Sequence, residues 1–304
     1  MENKPAVAKF FKLNSSKESN LALFNTKIKE LYANFQEHNY AAIPTLEIDE
    51  LQYYVSAMEK VNSEESINGE RLYHLLLTIS RVDTKSQVVL ANIEQSIDIR
   101  KREIEHGENE GLVVDTRLIF DPFRQIIVVY NQRGTINNHD LARFFCKVID
   151  VRGLRFEIIL NAEAFNRLDN LDVAQSVTYT IASPDNFKSF RDDSRSENGD
   201  LKFASALSGE SMKITISSAS LTKRKLWEKI SGILSNENLK VTTAKVAGLK
   251  DGIFEPIDLI KNKLLYSGNI QYENTLDDRA IYAFLNTAYY YHFEYLKRMY
   301  TPRF

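Results

Sequence analysis

Basic side chains are concentrated in one segment of this nearly neutral chain, between Ser220 and Lys250. The segment carries seven lysine and arginine residues against two acidic residues, whereas the whole chain has a formal net charge of −2. Lys223, Arg224 and Lys225 fall in the first turns of a predicted helix, where positive charge opposes the helix dipole. Such a placement indicates phosphate binding, with a solvated basic surface as the alternative. The candidate contact residues are Lys223, Arg224, Lys225, Lys229, Lys240 and Lys245.

Four other residues have side-chain types that act on phosphodiesters through a metal ion. Asp115 and Asp121 flank a predicted strand, Glu157 begins another, and Lys147 lies on the helix between them. Metal-dependent nucleases hold Mg²⁺ with carboxylates and place a lysine two residues from one acid on the same strand. The spacing here differs, because two isoleucines follow Glu157. We therefore interpret these carboxylates as turn and strand-end residues, and keep a metal-dependent nuclease as an alternative.

Other catalytic and cofactor signatures are missing from the sequence. Its 11 glycines form no phosphate-binding loop, and no G-x-S-x-G motif occurs. The five histidines lie in different predicted elements, without the spacing of a zinc site. The single cysteine, Cys146, lies beside Phe145 near an apolar helix face, which predicts an unreactive thiol. These observations predict a protein that is not an enzyme and has no cofactor, metal ion or small-molecule substrate.

The segment between Gly111 and Asn161 is the part of the chain that sequence pattern predicts as a complete folding unit. An apolar run up to Phe120 is followed by the turn signature Asp121-Pro122-Phe123 and by a second β-branched run, which together predict a hairpin. Thr135 or Asn137 then caps a helix, and a further strand follows. The apolar face of that helix comprises Leu141, Phe144, Phe145 and Val148.

The remaining elements are expected to form two mixed halves. An opening strand and helix precede two strands separated from a buried strand by the polar residues Asn62–Glu65. After a polar stretch at 183–200, Ser220 is predicted to cap the basic helix, whose inner face carries Leu226, Ile230, Ile233 and Leu234. We therefore predict an α+β fold with a central hairpin-helix-strand unit and a long C-terminal helix. The predicted domains are residues 1–155 and 156–304.

The predicted C-terminal helix carries three consecutive tyrosines, Tyr289, Tyr290 and Tyr291. Three consecutive rings cannot share one helix face, so at least one is expected to be exposed or to lie at a subunit contact. This pattern favours a homodimer. It also supports the competing class, a protein-protein interaction or scaffold protein.

Two stretches resemble the central hairpin of the RexA-like phage exclusion family. The first is Leu72–Val82, and the second consists of the two hairpin segments Gly111–Asp121 and Ile126–Gly134. The order of predicted elements extends the resemblance over nearly the whole chain. It implies a homodimer that binds DNA with little sequence preference, senses an infecting phage and signals to a membrane partner. No family residues are carried over, so the DNA-contacting set remains the six basic residues given above.

The chain is predicted to be a non-enzymatic DNA-binding component of a phage exclusion or anti-phage defence system. The charged N-terminal residues and the absence of a long apolar run predict a cytoplasmic protein.

Overall fold

The architecture is known from a computed structural model that describes residues 2–15, 17–67, 69–105, 107–182, 204, 206–207, 209–235 and 240–302. The strands within these residues are β1 (Glu2–Ser15), β2 (Leu46–Ile48), β3 (Leu51–Ile67), β4 (Glu70–Asp83), β5 (Val88–Ala91), β6 (Lys101–Ile104), β7 (Leu112–Asp121), β8 (Ile126–Tyr130), β9 (Leu154–Ile158), β10 (Val173–Ala182), β11 (Ser211–Leu221), β12 (Lys240–Lys250), β13 (Ile253–Asp258) and β14 (Leu265–Tyr272). The helices with bounds in these residues are α1 (Glu18–Gln36), α2 (Asn138–Val148), α3 (Ala162–Asp169), α4 (Lys223–Ser235), α5 (Asp278–Tyr291) and α6 (Phe293–Met299), with a 3-10 turn at Tyr40–Ala42. Among them, no helix combines the length and the apolar run that crossing a membrane would need.

The predicted fold class, an α+β protein of two mixed helix and sheet halves with a long C-terminal helix, is wrong. Strands dominate the chain and form three antiparallel sheets. The polar residues Asn62–Glu65, expected to be a connection, lie within β3, which pairs with β4 along a long hairpin. The C-terminal helix is interrupted at His292, whose ring packs edge-on against Phe10 at 5.1 Å between centroids. Asn62 pairs with Tyr73 and Ser66 pairs with Arg71, so Ser63–Glu65 form a bulge in β3. Side chains satisfy backbone groups of this bulge, because Arg71 Nε donates to the Ser63 carbonyl at 2.6 Å and the Glu65 N–H donates to the Ser63 hydroxyl at 3.1 Å. Contact with β4 therefore overrides the local polar pattern.

The large sheet is organised around β1. Its strand order is β14-β1-β8-β7-β4-β3-β2, and β9 also pairs with β1. Residues 2–9 of β1 pair with β14, residues 8–12 with β8 and residues 11–15 with β9. The second sheet has the order β11-β10-β12-β13, and β5 and β6 form a separate pair. The large sheet therefore draws strands from both sides of position 155, and the proposed division into domains at that position stays a prediction.

Helices cover both faces of the large sheet. On one face, Phe24 of α1 lies 5.3 Å from Phe120 of β7 and 4.7 Å from Phe145 of α2, measured between ring centroids. On the other face, Phe284 of α5 packs against Tyr130 of β8 at 6.2 Å. The first cluster continues into the second sheet through α4, which packs against β9 and β12. One apolar core therefore connects the large sheet with the second sheet.

The predicted hairpin at Asp121 is confirmed, and its turn is a buried polar centre. One Asp121 oxygen accepts hydrogen bonds from the backbone N–H groups of Phe123 and Arg124, at 2.9 and 3.0 Å. Its other oxygen accepts from the Tyr289 hydroxyl of α5 at 2.7 Å. The fully buried Arg124 guanidinium donates to Glu65 of β3 at 2.6 Å and lies 3.4 Å from Asp121. This cluster, the Arg124 centre, joins the turn to β3 and α5.

A row of polar contacts extends from the Arg124 centre along the interface between β4 and α5. His74 Nε2 lies 2.7 Å from the Asn286 side-chain oxygen, and the hydroxyls of Thr78 and Tyr282 are 2.6 Å apart. Burial lowers the pKa of His74 below its ordinary value. Burial also raises the pKa of Tyr289, so its phenol stays protonated and can donate to Asp121.

The Arg124 centre predicts that Tyr289→Phe destabilises the fold. The substitution keeps the ring but leaves a buried Asp121 oxygen without its hydroxyl donor, which costs about 1–3 kcal/mol of unfolding free energy. Urea denaturation measures this change. Tyr291→Phe is the matched control, because the Tyr291 side chain is 72% exposed and surface changes stay within about 0.5 kcal/mol. Equal stability of the two variants would contradict the assigned role of Tyr289.

The buried His74 predicts a loss of stability in acid. Its pKa is depressed in the folded state, so below the ordinary value of 6.5 the unfolded chain binds more protons. Stability is therefore expected to fall as pH drops below 6.5, with a slope from this group of at most about 1.4 kcal/mol per pH unit.

His74→Gln should reduce this slope, measured by urea denaturation between pH 8 and pH 5. At pH 8 the imidazole is neutral. The difference in unfolding free energy between the variant and the unsubstituted protein at this pH therefore gives the pH-independent cost of the substitution, and it serves as the control. An unchanged slope would exclude His74 as the titrating group.

Candidate nucleic-acid interface

The helix α4 brings the predicted basic segment to the protein surface. Its apolar residues Leu226, Ile230, Ile233 and Leu234 are buried, as the sequence predicted. The helix begins at Lys223 rather than after a cap at Ser220, because β11 continues to Leu221. Lys223, Arg224 and Lys225 are therefore the first three helical residues, where positive charge opposes the helix dipole.

Lys223 has a structural partner. Its ammonium group donates hydrogen bonds to the backbone carbonyl oxygens of Asp169, at 2.9 Å, and of Leu171. Asp169 is the last residue of α3 and Leu171 lies two residues beyond it, where backbone acceptors lack helical partners. Lys223 therefore joins the start of α4 to the end of α3, which accounts for its unfavourable place in the helix dipole.

Arg224 projects into solvent. Its side chain is 86% exposed and lies 3.3 Å from Glu228, one turn further along the helix. An exposed pair of this kind contributes only a few tenths of a kcal/mol, so its guanidinium can exchange Glu228 for a phosphate at little cost.

Lys225 and Lys229 lie one helical turn apart at a pocket between α4 and strands β10 and β11. The pocket has a volume of about 280 Å³. Its other lining residues are Val177, Tyr179, Ile216, Leu221, Thr222, Leu226 and Ile230. The arrangement places two lysine side chains beside an apolar wall. Lysine side chains commonly adopt this arrangement, with their stems on apolar surface and their charge in water.

The structure separates Lys245 from the α4 residues. Lys245 of β12 is exposed and lies between Ala244 and Val246, which are buried on the side of the sheet that faces α4. Because side chains alternate along a strand, Lys245 projects from the opposite side. The Lys240 backbone pairs with Ala182, and its side chain lies outside the described residues. The predicted set therefore does not form one continuous surface.

The outer side of the second sheet, which faces away from α4, carries a basic residue, Lys213, that the sequence analysis did not identify. Lys213 of β11 is exposed and pairs across the sheet with Thr180, which in turn pairs with Thr243. Thr178 lies between Thr215 and Lys245 in the next row. Apolar and polar residues alternate in Met212–Ser217. This sequence pattern predicts that Lys213 lies on the polar side of the sheet, which faces away from α4.

The residues of the nuclease alternative each have structural partners. Asp115 accepts from Ser80 at 2.6 Å and from Arg117 at 3.0 Å, and Glu157 accepts from Asn14 at 2.8 Å and Arg155 at 2.9 Å. Lys147 donates to the backbone carbonyl of Glu47. In the part of the chain that the structure describes, no three His, Cys, Asp or Glu residues are grouped as metal ligands.

Cys146 is half-buried, and its sulfur lies 3.8 Å from the Leu154 carbonyl oxygen. Burial raises the pKa of this thiol, which keeps it in the less reactive protonated form.

Fold and surface together define an antiparallel-sheet protein with a basic helix packed against one face of its second sheet. No family model matches the chain, and a search of curated proteins finds no match.

The contacts of Lys223 predict different effects for neighbouring lysines. Lys223→Gln removes hydrogen bonds to two carbonyls and should lower the unfolding free energy by about 1 kcal/mol. Lys225→Gln, the same substitution two residues later on the exposed surface, should change it by less than about 0.5 kcal/mol. Urea denaturation of both variants measures the difference. A Lys225 variant as destabilised as the Lys223 variant would contradict the assigned roles.

Proposed function

We propose that the chain is a non-enzymatic DNA-binding component of a phage exclusion or anti-phage defence system. The supporting observation is the group of cations on the first two turns of α4, Arg224, Lys225 and Lys229, in a chain with a net charge of −2. Lysine and arginine contacts to phosphates carry no base information, so binding is proposed to be independent of DNA sequence. The defence role is supported by the resemblance to the RexA-like family.

Lys223 is left out of the proposed contact set because its ammonium group is used by the carbonyls of Asp169 and Leu171. Arg224 remains in the set, because its solvent-exposed pair with Glu228 is weak. The Ser220 side chain of β11 is exposed next to the start of α4 and offers a hydroxyl donor for the same phosphates, whereas the Ser218 hydroxyl donates to the Ser220 carbonyl at 3.2 Å. In this proposal a phosphate backbone runs along the start of α4 and the end of β11.

A second candidate function is that of an interaction or scaffold protein that signals to a membrane partner. The exposed Tyr290 and Tyr291 side chains support it, at 44% and 72% exposure, whereas Tyr289 is buried at 3%. Exposed aromatic residues are enriched at protein interfaces.

Two double charge reversals on opposite sides of the second sheet test the proposed DNA site. Lys225→Glu with Lys229→Glu should weaken binding to a short mixed-sequence duplex at least about tenfold at low salt, because two attractive interactions with phosphates become repulsive. The slope of log affinity against log salt concentration should become less negative by about 0.9 for each phosphate that the variant no longer neutralises. Fluorescence anisotropy over a salt series measures both quantities.

Lys213→Glu with Lys245→Glu is the matched control, with the same change in net charge on the outer side of the sheet. It should retain most of the affinity. Equal loss in both double variants would show that binding follows net charge and not the α4 surface. Absence of binding by the unsubstituted protein would refute DNA binding and leave the interaction protein as the surviving candidate.

A further inference from the structure

The last strand of the large sheet, β14, has one partner among the described strands. It pairs with β1 through all eight of its residues and ends the strand order on that side. Its sequence, Leu-Tyr-Ser-Gly-Asn-Ile-Gln-Tyr, contains no charged residue and no proline. The backbone N–H and C=O groups of every second residue of such a strand point away from the sheet, where they can pair with another strand. At the start of β14 the Leu265 carbonyl oxygen already accepts a hydrogen bond from His292 Nε2, at 3.1 Å.

Other terminal strands in the described parts of the sheets carry features that discourage pairing. The strand β2 is only three residues long. The strand β13 contains Glu255, Pro256 and Asp258, and β11 carries Lys213. Short length, proline and charged side chains are the usual protections of a sheet edge, and β14 has none of them.

Apolar surface lies beside this edge. The Tyr291 side chain is 72% exposed, and its ring centroid is 5.2 Å from that of Tyr266 on β14. Leu265, the first residue of the strand, is 45% exposed. A sheet edge without charged residues and with flanking apolar side chains has the composition of an interface core rather than of a solvated margin.

We propose that two copies of this chain associate by antiparallel pairing of β14, so that their large sheets become continuous. A two-fold axis perpendicular to the joined sheet places even-numbered residues opposite even-numbered residues and odd-numbered residues opposite odd-numbered residues. With the axis at Gly268, Tyr266 pairs with the partner's Ile270, and Ser267 pairs with the partner's Asn269. The same register brings Lys263, which is bridged to Leu160 just before the strand, towards Glu273, which lies in the bend just after it, on both sides of the axis.

This self-complementarity identifies a second copy as the occupant of the edge. Opposite charges meet at both ends of the paired strands, and no like charges meet within them. Gly268 lies on the axis, at a crowded position where an added Cβ would approach the rings of Tyr266 and Phe284 to 3.1 and 3.3 Å. The homodimer expected from the tyrosine cluster thereby acquires a specific interface, and this inference does not depend on DNA binding.

Charge substitutions on the exposed side of β14 test the register. Ser267 and Asn269 are both exposed, so their replacement should leave the folded protomer intact. Ser267→Lys with Asn269→Lys places like charges opposite each other twice and should raise the dimer dissociation constant about tenfold or more. Ser267→Lys with Asn269→Glu places opposite charges together and should restore the dimer. Sedimentation equilibrium over a protein concentration series measures the dissociation constants.

Thr215→Lys with Ser217→Lys is the matched control on β11, the exposed terminal strand of the second sheet. It should leave the dimer unchanged, and circular dichroism verifies that each variant is folded. A monomeric unsubstituted protein would overturn the proposal, as would a dimer insensitive to the two lysines on β14. Dissociation caused by the β11 lysines alone would instead place the interface on the other sheet.

Discussion

The burial of Arg124 is the constraint on which much of this structure depends. A guanidinium removed from water is costly unless it is paired, and here Glu65 and Asp121 supply the compensating charge. The Cζ atom of Arg124 also lies over the Phe293 ring of α6, 5.2 Å from the ring centroid. Its Nε has no hydrogen-bond partner among the described residues, so the compensation is incomplete. Because such pairs contribute little net stability, the centre acts mainly by fixing one arrangement of the hairpin turn, β3, α5 and α6.

This arrangement determines what the rest of the chain exposes. The contact of Tyr289 with Asp121 and the neighbouring contact of Asn286 with His74 fix the rotation of α5 about its axis. With Tyr289 turned inward, Tyr291 must point outward and lies beside Tyr266. Residues that follow each other on one helix face different directions, at about 100° per residue. The aromatic surface next to β14 is thus a consequence of the buried polar centre on the other side of the helix.

The basic residues of α4 illustrate how one sequence feature divides into different physical roles. Lys223 satisfies carbonyl groups at the end of α3, whereas Arg224 and Lys225 remain at the surface. Lys245 belongs to a strand whose alternation sends it to the far side of the sheet. The local charge excess seen in the sequence is real, but only part of it lies on one surface. A proposal for phosphate binding therefore applies to a smaller set of residues than charge counting selects.

The sequence by itself determined the features that depend on neighbouring residues. The Asp121 turn, the cap of α2 at Asn137 and the buried face of α4 all follow from short-range hydrogen bonding or helical periodicity. Only the tertiary structure decided that Asn62–Glu65 continue a strand, that Lys223 is structural and that Asp121 contacts Tyr289. The Asp121–Tyr289 pair is 168 residues apart in the chain, and no local pattern specifies which distant group will compensate a buried charge. Partners at such separations are chosen by packing of the whole fold, so the sequence shows which groups need a partner but not which partner they find.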